Sequence, residues 1–285
     1  MLLELIDNCT VVIRSVGERT TELCRYIIEQ QVFSKNVFVI NEIQFSKAVQ
    51  KTFTIGLDNN LPWTIAIDAD VLTSSKGLRR LVSCAETYQE PFFKGNCRGV
   101  DKYFGSVRTI CPHIYHTSYF EFAIKAFPQE EFLRPESHIL DIVNAHYQLS
   151  VAKFSDIIAI HDFEQGYSDI FRKAYIYAKK HPEKIDFFIK YWSSCLGSNI
   201  DYLVALSGLY KGLFSEKPVT INANDSTSDL KVAPFLEYLE EKPLINTHKY
   251  QKIIAKINAT ILFASIIYPM SKKMLQKTLP LIHLY

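Results

Sequence analysis

The sequence predicts an α/β fold: a mixed, mostly parallel sheet flanked by helices, with a helical C-terminal region. Three observations carry that expectation. Short β-branched runs alternate with helix-spaced stretches through the first third of the 285 residues. Two apolar runs, "WTIAIDAD" at 63–70 and "IIAIHDFEQ" at 157–165, end abruptly in carboxylate or imidazole side chains. Beyond Ser168 the pattern turns helical and stays so.

Taken in order, "CTVVIRSV" (9–16) reads as a first strand, and residues 18–31 place Leu23, Ile27 and Ile28 at helical intervals. "NVFVINEI" (36–43) is a second strand, and after an intervening segment "WTIAIDADV" (63–71) is a third. Strand, helix, strand implies parallel pairing through right-handed crossovers, which puts a ligand site at the carboxyl ends of the strands. Residues 77–88 form a helix with Leu78, Leu81 and Val82 on one face. The stretch 91–118, with three glycines, two prolines and several aromatics, predicts strands and loops. Helical patterns resume at 119–127, punctuated by Pro128 and Pro135, and again in "SHILDIVNAHYQLS". "FSDIIAIHDFEQ" (154–165) then repeats the design of the third strand, an apolar run ending in ligating side chains.

The helical remainder passes through a polar linker or loop, "NANDSTSDLK" (222–231), before 232–285. A boundary near residue 168 therefore divides the chain into 1–168 and a mainly helical 169–285, unless those helices complete a single domain. The apolar content of "DFFIKYWSSCLGSNIDYLVALSGLY" exceeds what one exposed helix needs, so it packs on the sheet or on a second copy in a homodimer. At the end, Lys272, Lys273 and Lys277 interleave with Met274, Leu275, Leu279, Leu281 and Ile282. Such a segment either rests on an anionic membrane as a peripheral contact or packs its apolar stripe internally.

Composition narrows the partners. With 32 Lys+Arg against 30 Asp+Glu the formal charge is +2, and only short basic clusters occur, so nucleic acid is excluded as an expected ligand. Six scattered cysteines without a CxxC pair read as free thiols in a reducing, cytoplasmic setting. The opening "MLLELIDNCT" has no basic region that would mark a signal peptide. The apolar run at 259–270 is too short to span a bilayer and is interrupted by Pro269.

The chemistry concentrates at Asp68 and Asp70. Aspartate is a poor strand former and costly to bury, so two of them closing an apolar run belong at an edge or cleft. A divalent cation, a phosphoryl-transfer centre, or a turn satisfying its own backbone are the three explanations. Mg²⁺ and Mn²⁺ favour carboxylate oxygens and leave positions for phosphate and water.

In "TVVIRSVGERT", "IAIDADV" and "HDFEQ", across residues 10–165, the chain resembles the nucleotide-sugar-dependent glycosyltransferases of the GT-A fold, particularly bacterial family 2-like enzymes with a DxD motif. The resemblance implies a GT-A-like catalytic domain over 1–168. It implies a metal-dependent glycosyltransferase, hexosyltransferase in type, moving sugar from a UDP- or GDP-sugar to a hydroxyl of a glycan or lipid-linked acceptor in bacterial surface-glycan assembly. The cofactor would be Mn²⁺ or Mg²⁺. Asp70 would bind the metal, Asp68 the donor ribose or a metal-bound water, and His161 would complete the metal shell with Asp162 beside it in the catalytic set. Arg14, Ser15 and Glu18 would line the nucleotide pocket, with Asn41 and Glu42 meeting base or ribose.

Plainer readings stand beside several of these: a surface ion pair for Arg14, a dipole-favoured helix start for Glu18, a hydrogen-bonding core residue for His161. Glu164 is a weaker member. His113 and His116 are expected in a loop that could line the acceptor site. Glu136 and Asp101 are candidate bases, with simple solvated acids the plainer reading. Two rival functions remain. "DADVLT" also resembles the nucleophile motif of haloacid dehalogenase-like phosphatases, although no later Asp-Asp pair follows, and a non-catalytic carbohydrate-binding protein could keep the fold.

Overall fold

The computed structural model describes residues 4–127, 135–216, 239 and 242–270. The chain opens with β1 (Cys9–Ser15), α1 (Thr21–Glu29), β2 (Val37–Asn41), α2 (Phe45–Asn59), β3 (Trp63–Asp68), β4 (Val71–Thr73) and α3 (Gly77–Thr87). A long hairpin follows, β5 (Phe92–Asp101) and β6 (Ser106–His116), then α4 (Phe120–Lys125), α5 (Pro135–Tyr147) and β7 (Ser150–His161). Helices complete it: α6 (Tyr167–Lys180), α7 (Ile185–Cys195), α8 (Asp201–Leu213) and α9 (Tyr250–Met270).

The seven strands form one sheet in the order β2-β1-β3-β6-β5-β7-β4. Pairings β1 with β2, β1 with β3, and β5 with β7 are parallel; β6 and β4 pair antiparallel with their neighbours. Five strands thus run one way and two the other, the mixed, mostly parallel α/β sheet that the sequence predicts. The antiparallel β6 follows from a short turn: residues 102–105, with Gly105 at φ +53°, reverse the chain directly, where a parallel return would need a crossover of a dozen residues.

Each face of the sheet is covered because its strands are apolar on both sides. One face packs Leu23, Ile27 and Ile28 of α1, Leu78 and Leu81 of α3, and Ile257, Ile261 and Ala264 of α9 against Val11, Ile13, Ile65, Ile67 and Ile158. The other packs α2, α4 and α5 through Val49, Phe53, Phe120, Ile139 and Val143 around Ala66 and Tyr115. A third cluster, centred on Trp192, joins α6, α7 and α8 to Tyr103 and Phe104 in the β5–β6 turn.

Several expectations change here. The segment between the second and third strands is a fifteen-residue helix, α2, burying Ala48, Val49, Thr52, Phe53 and Gly56 at helical spacing. His113 and His116 lie in strand β6, not in a loop, because the β-branched and aromatic residues around them extend the pairing with β3 and β5. The apolar run at 259–270 is the second half of a longer helix: α9 begins at Tyr250 and carries Pro269 within its last turn. By length and composition the stretch Thr247–Pro269 is long and apolar enough to cross a membrane, with 22% of it buried in the protein. All six cysteines are free. The linker reading for 222–231, the proline at 128 and the basic segment from Ser271 to the end lie outside the described residues.

Candidate active site

Strands β1, β3, β5 and β7 share a direction, so their carboxyl ends meet at one edge of the sheet. Register puts Arg14 beside Asp68, Ser15 beside Asn41, and Asp101 beside His161. The chain between Asp68 and Val71 explains the paired aspartates. At Asp68 it leaves β1, and at Val71 it pairs with His161 on β7. In between, the Ala69 N–H donates to the Arg14 carbonyl (2.9 Å), Thr20 Oγ1 donates to the Ala69 carbonyl (2.7 Å), and the Asp162 N–H donates to the Asp70 carbonyl (3.1 Å). The two carboxylates consequently serve different clusters.

Asp68 belongs to a network around Arg14. The guanidinium lies 2.7 Å from Asp68 through Nε and 2.5 Å from Glu136 through Nη1, and its plane sits over Phe45 at 5.1 Å. Cys111 Sγ donates to Asp68 at 3.2 Å; Tyr115 Oη donates to Glu136 at 3.1 Å, and Lys94 stands 3.4 Å from the same carboxylate. Arg14 is 5% exposed, so its charge survives burial only because Asp68 and Glu136 more than offset the desolvation, raising its pKa further. Burial acts against the charge on Glu136 too, and Arg14 and Lys94 outweigh it, holding that carboxyl well below the usual range. His113, 3.9 Å away, is pushed well below the usual imidazole value by burial and Lys94.

Asp70 belongs to the second cluster. Asp70, His161 and Asp162 each offer one ligand atom, and the three atoms lie within 4.8 Å of one another. His161 Nδ1 is 2.9 Å from Asp101 and 3.3 Å from Asp162, with Nε2 3.7 Å from Asp70. Asp162 sits at φ +59°, a left-handed conformation that aspartate tolerates better than most residues and that turns its carboxylate back toward Asp70. Burial alone would depress the His161 pKa; Asp162, Asp70 and Asp101 together raise it well above the ordinary value. Asp70 Oδ1 and Asp162 Oδ2 are buried without a hydrogen bond, the condition expected of oxygens shaped for an ion. Two carboxylates and an imidazole suit Mn²⁺ or Mg²⁺ provided the ion displaces the extra imidazole proton, so the residues fit the group.

Sequence reasoning missed Lys173. From the second turn of α6 its ammonium bonds the Asp70 carboxylate and reaches Asp162 Oδ1 at 2.6 Å. It lies in "FRKAYIYAKK", where nothing distinguishes it from Lys179 or Lys180; the available signal is topological, since the helix after β7 starts at the site's edge.

The other expected members are placed as follows. Ser15 Oγ bonds Glu18 (2.9 Å) and Thr21 (2.8 Å), and accepts the Gly17 N–H in a tight turn that Gly17 enters at φ +97°. Burial, with Asp70 nearby, raises the Glu18 carboxyl pKa. Asn41 is exposed at the end of β2, and Glu42 pairs with Lys51 at 2.5 Å. Glu164 lies between Arg19 (3.6 Å) and Lys242 (3.5 Å). Asp101 and Glu136 are not solvated acids. Asp101 is fully buried and held by Arg108 (3.0 Å), His161 and the Phe104 N–H, and Glu136 is closed in by Arg14, Lys94 and Tyr115. Asp101 is closed to a substrate hydroxyl, and Glu136 is spent on its cations.

No family model and no curated protein sequence matches the chain. Among solved structures, the chain is similar to A197 from STIV (9% identity, TM-score 0.38, covering 54% of this chain and 85% of that one). It is similar to a glycosyltransferase involved in the glycosylation of the major capsid of PBCV-1 (10%, 0.37, covering 54% and 92%). A third is a putative glucose-1-phosphate thymidylyltransferase from Bacillus anthracis in complex with a sucrose (11%, 0.32, covering 53% and 87%). Likenesses at this level carry no argument about function, which rests on the site itself.

Proposed function

We propose that the protein is a metal-dependent glycosyltransferase that moves a sugar from a nucleotide-diphosphate sugar, a UDP- or GDP-sugar, to a hydroxyl acceptor in surface-glycan assembly. The observation that carries this reading is the convergence of Asp70, His161 and Asp162, with a buried Asp70 oxygen that has no hydrogen bond, at the carboxyl ends of the parallel strands of the mixed sheet. Those three residues would hold Mn²⁺ or Mg²⁺, which when bound offsets the charge gathering on a departing nucleoside diphosphate. The chain does the rest. Ser15, Glu18, Asn41 and Glu42, at the adjoining ends of β1 and β2, would meet the nucleoside. Asp68, a third exposed and gripped by Arg14, presents a carboxylate of fixed orientation to the ribose. Arg14 acts by positioning Asp68, both of its ends being engaged inside the protein.

Calorimetry with UDP, GDP and their sugar conjugates, with and without Mn²⁺, tests the reading. Binding that requires the ion, and that weakens at least about tenfold in Asp70→Asn, is expected. No nucleotide binding under any condition, or phosphate release from p-nitrophenyl phosphate without nucleotide, would overturn it.

A further inference from the structure

Beside the candidate metal cluster the protein opens a cavity of about 720 Å³. Its floor begins where the cluster ends: Phe163 and Glu164 directly follow the His161-Asp162 pair, and Arg19 directly follows Glu18. Two chemistries line it. The cationic side is built by Arg19, Lys242, Lys249, Lys252 and Lys256 against one lining carboxylate, Glu164. Glu164 is taken by Arg19 and Lys242, the latter also 2.7 Å from Asp201. Among the described residues Lys249, at the end of the turn that leads into α9, and Lys252 and Lys256 in its first two turns enter no ion pair, and their spacing of three and four sets them on one side.

The second side is apolar: Phe163, Pro243, Leu244 and Ile253. Leu244 is 86% exposed among the described residues and leaves this wall open. A cavity that is cationic on one wall and apolar on another matches a ligand divided the same way.

We infer that this cavity binds an amphiphilic phosphate ester, a phosphoryl head on an apolar chain, with the head at Lys249, Lys252 and Lys256 and the chain against Phe163, Leu244 and Ile253. A neutral sugar gains nothing from three unpaired ammonium groups, and a plain nucleotide leaves the apolar wall wet. Three lysines attract a phosphate dianion from solution and hold it by charge-assisted hydrogen bonds. That the ester is the acceptor of the transfer proposed above rests on that reading; binding in the cavity does not.

The test is calorimetric titration of the full chain with monododecyl phosphate below its micellar concentration, beside inorganic phosphate as the head alone and dodecyl maltoside as an uncharged head on the same chain. Dodecyl phosphate is expected to bind at least tenfold more tightly than either. The triple variant Lys249→Gln, Lys252→Gln, Lys256→Gln, all at exposed or half-buried positions, should lose at least tenfold of that affinity while its Mn²⁺ binding stays unchanged. Asp70→Asn should keep dodecyl phosphate binding, so failure of the glycosyltransferase reading and failure of this one are separable. Equal affinity for dodecyl phosphate and inorganic phosphate, or a triple variant that binds as the parent does, overturns the inference. Sedimentation with phosphatidate-containing vesicles distinguishes the source: binding displaced by dodecyl phosphate supports a membrane lipid, and binding of the free ester alone supports a soluble one.

Discussion

Lys173 decides how the acidic cluster behaves before any ion reaches it. Three carboxylates, Asp70, Asp101 and Asp162, face Lys173, Arg108 and a protonated His161, so their charges are largely met within the protein. A divalent ion binding Asp70, Asp162 and His161 must displace the ammonium and the extra imidazole proton. Lys173→Met should therefore cost the metal-free protein roughly 3–5 kcal/mol, the range for removing one partner of a buried pair. The same change should tighten Mn²⁺ binding about tenfold, and ion at a hundredfold its Kd should return about 2.7 kcal/mol. Urea unfolding of both proteins in chelator and in Mn²⁺ reads both effects; a variant that Mn²⁺ stabilises no more than it does the parent would count against the displacement. At this scale the site was legible where an apolar run ended in a polar group, which is why Asp68, Asp70, His161 and Asp162 stood out. Lys173 was not, because a lysine on an amphipathic helix looks the same whether it ends in water or on a carboxylate. Asp101 and Glu136 were read as solvated because their cations, Arg108 and Arg14, come from strand positions whose proximity only pairing establishes.

Among elements, the α6–α8 pair makes the sharpest case of packing against propensity. An added Cβ at Gly208 would lie 2.3 Å from the Phe171 carbonyl oxygen, and one at Gly212 2.5 Å from that of Tyr175. These glycines, one turn apart on α8, let the helix backbones approach directly. Helix propensity favours Gly208→Ala by about 1 kcal/mol, and overpacking opposes it by about 1–3 kcal/mol or more. The contact is to backbone, which cannot swing aside, so packing wins and the variant should melt below the parent. An unchanged or raised midpoint in a thermal melt would show that α8 shifts freely. The elements themselves were legible wherever period and composition agreed, as in β1, β3, α3 and β7. Helix α2 was not, because its Thr52, Thr54 and Gly56 are weak helix formers and tertiary burial of Val49 and Phe53 supplies the stability. The strand order was hidden too: β4 joins β7 at the far edge of the sheet, a pairing that no local pattern encodes.

For the whole molecule, the question is what ties the helices after residue 167 to the sheet. Trp192 Nε1 donates to the Tyr103 carbonyl at 2.8 Å, and Lys102, next to it in the β5–β6 turn, pairs with Asp201 at the start of α8 at 2.6 Å, with side chains 2% and 0% exposed. Burial lowers the Lys102 pKa, and Asp201 works against that fall, so the ammonium depends on its partner. Asp201 also meets Lys242 at 2.7 Å, which makes the arrangement asymmetric. Lys102→Met leaves Asp201 with a second cation. Asp201→Asn leaves Lys102 buried without its carboxylate and beside Lys242, whose charge already disfavours it. The expected order of cost follows: about 3–5 kcal/mol for Asp201→Asn, and clearly less for Lys102→Met. The double variant Lys102→Met with Asp201→Leu, which removes the buried charge altogether, should recover part of the loss, since apolar groups of similar volume often replace a buried pair without penalty. Urea midpoints for the four proteins decide it. Equal costs for the two single changes would mean that Lys242 gives Asp201 no support once Lys102 is gone.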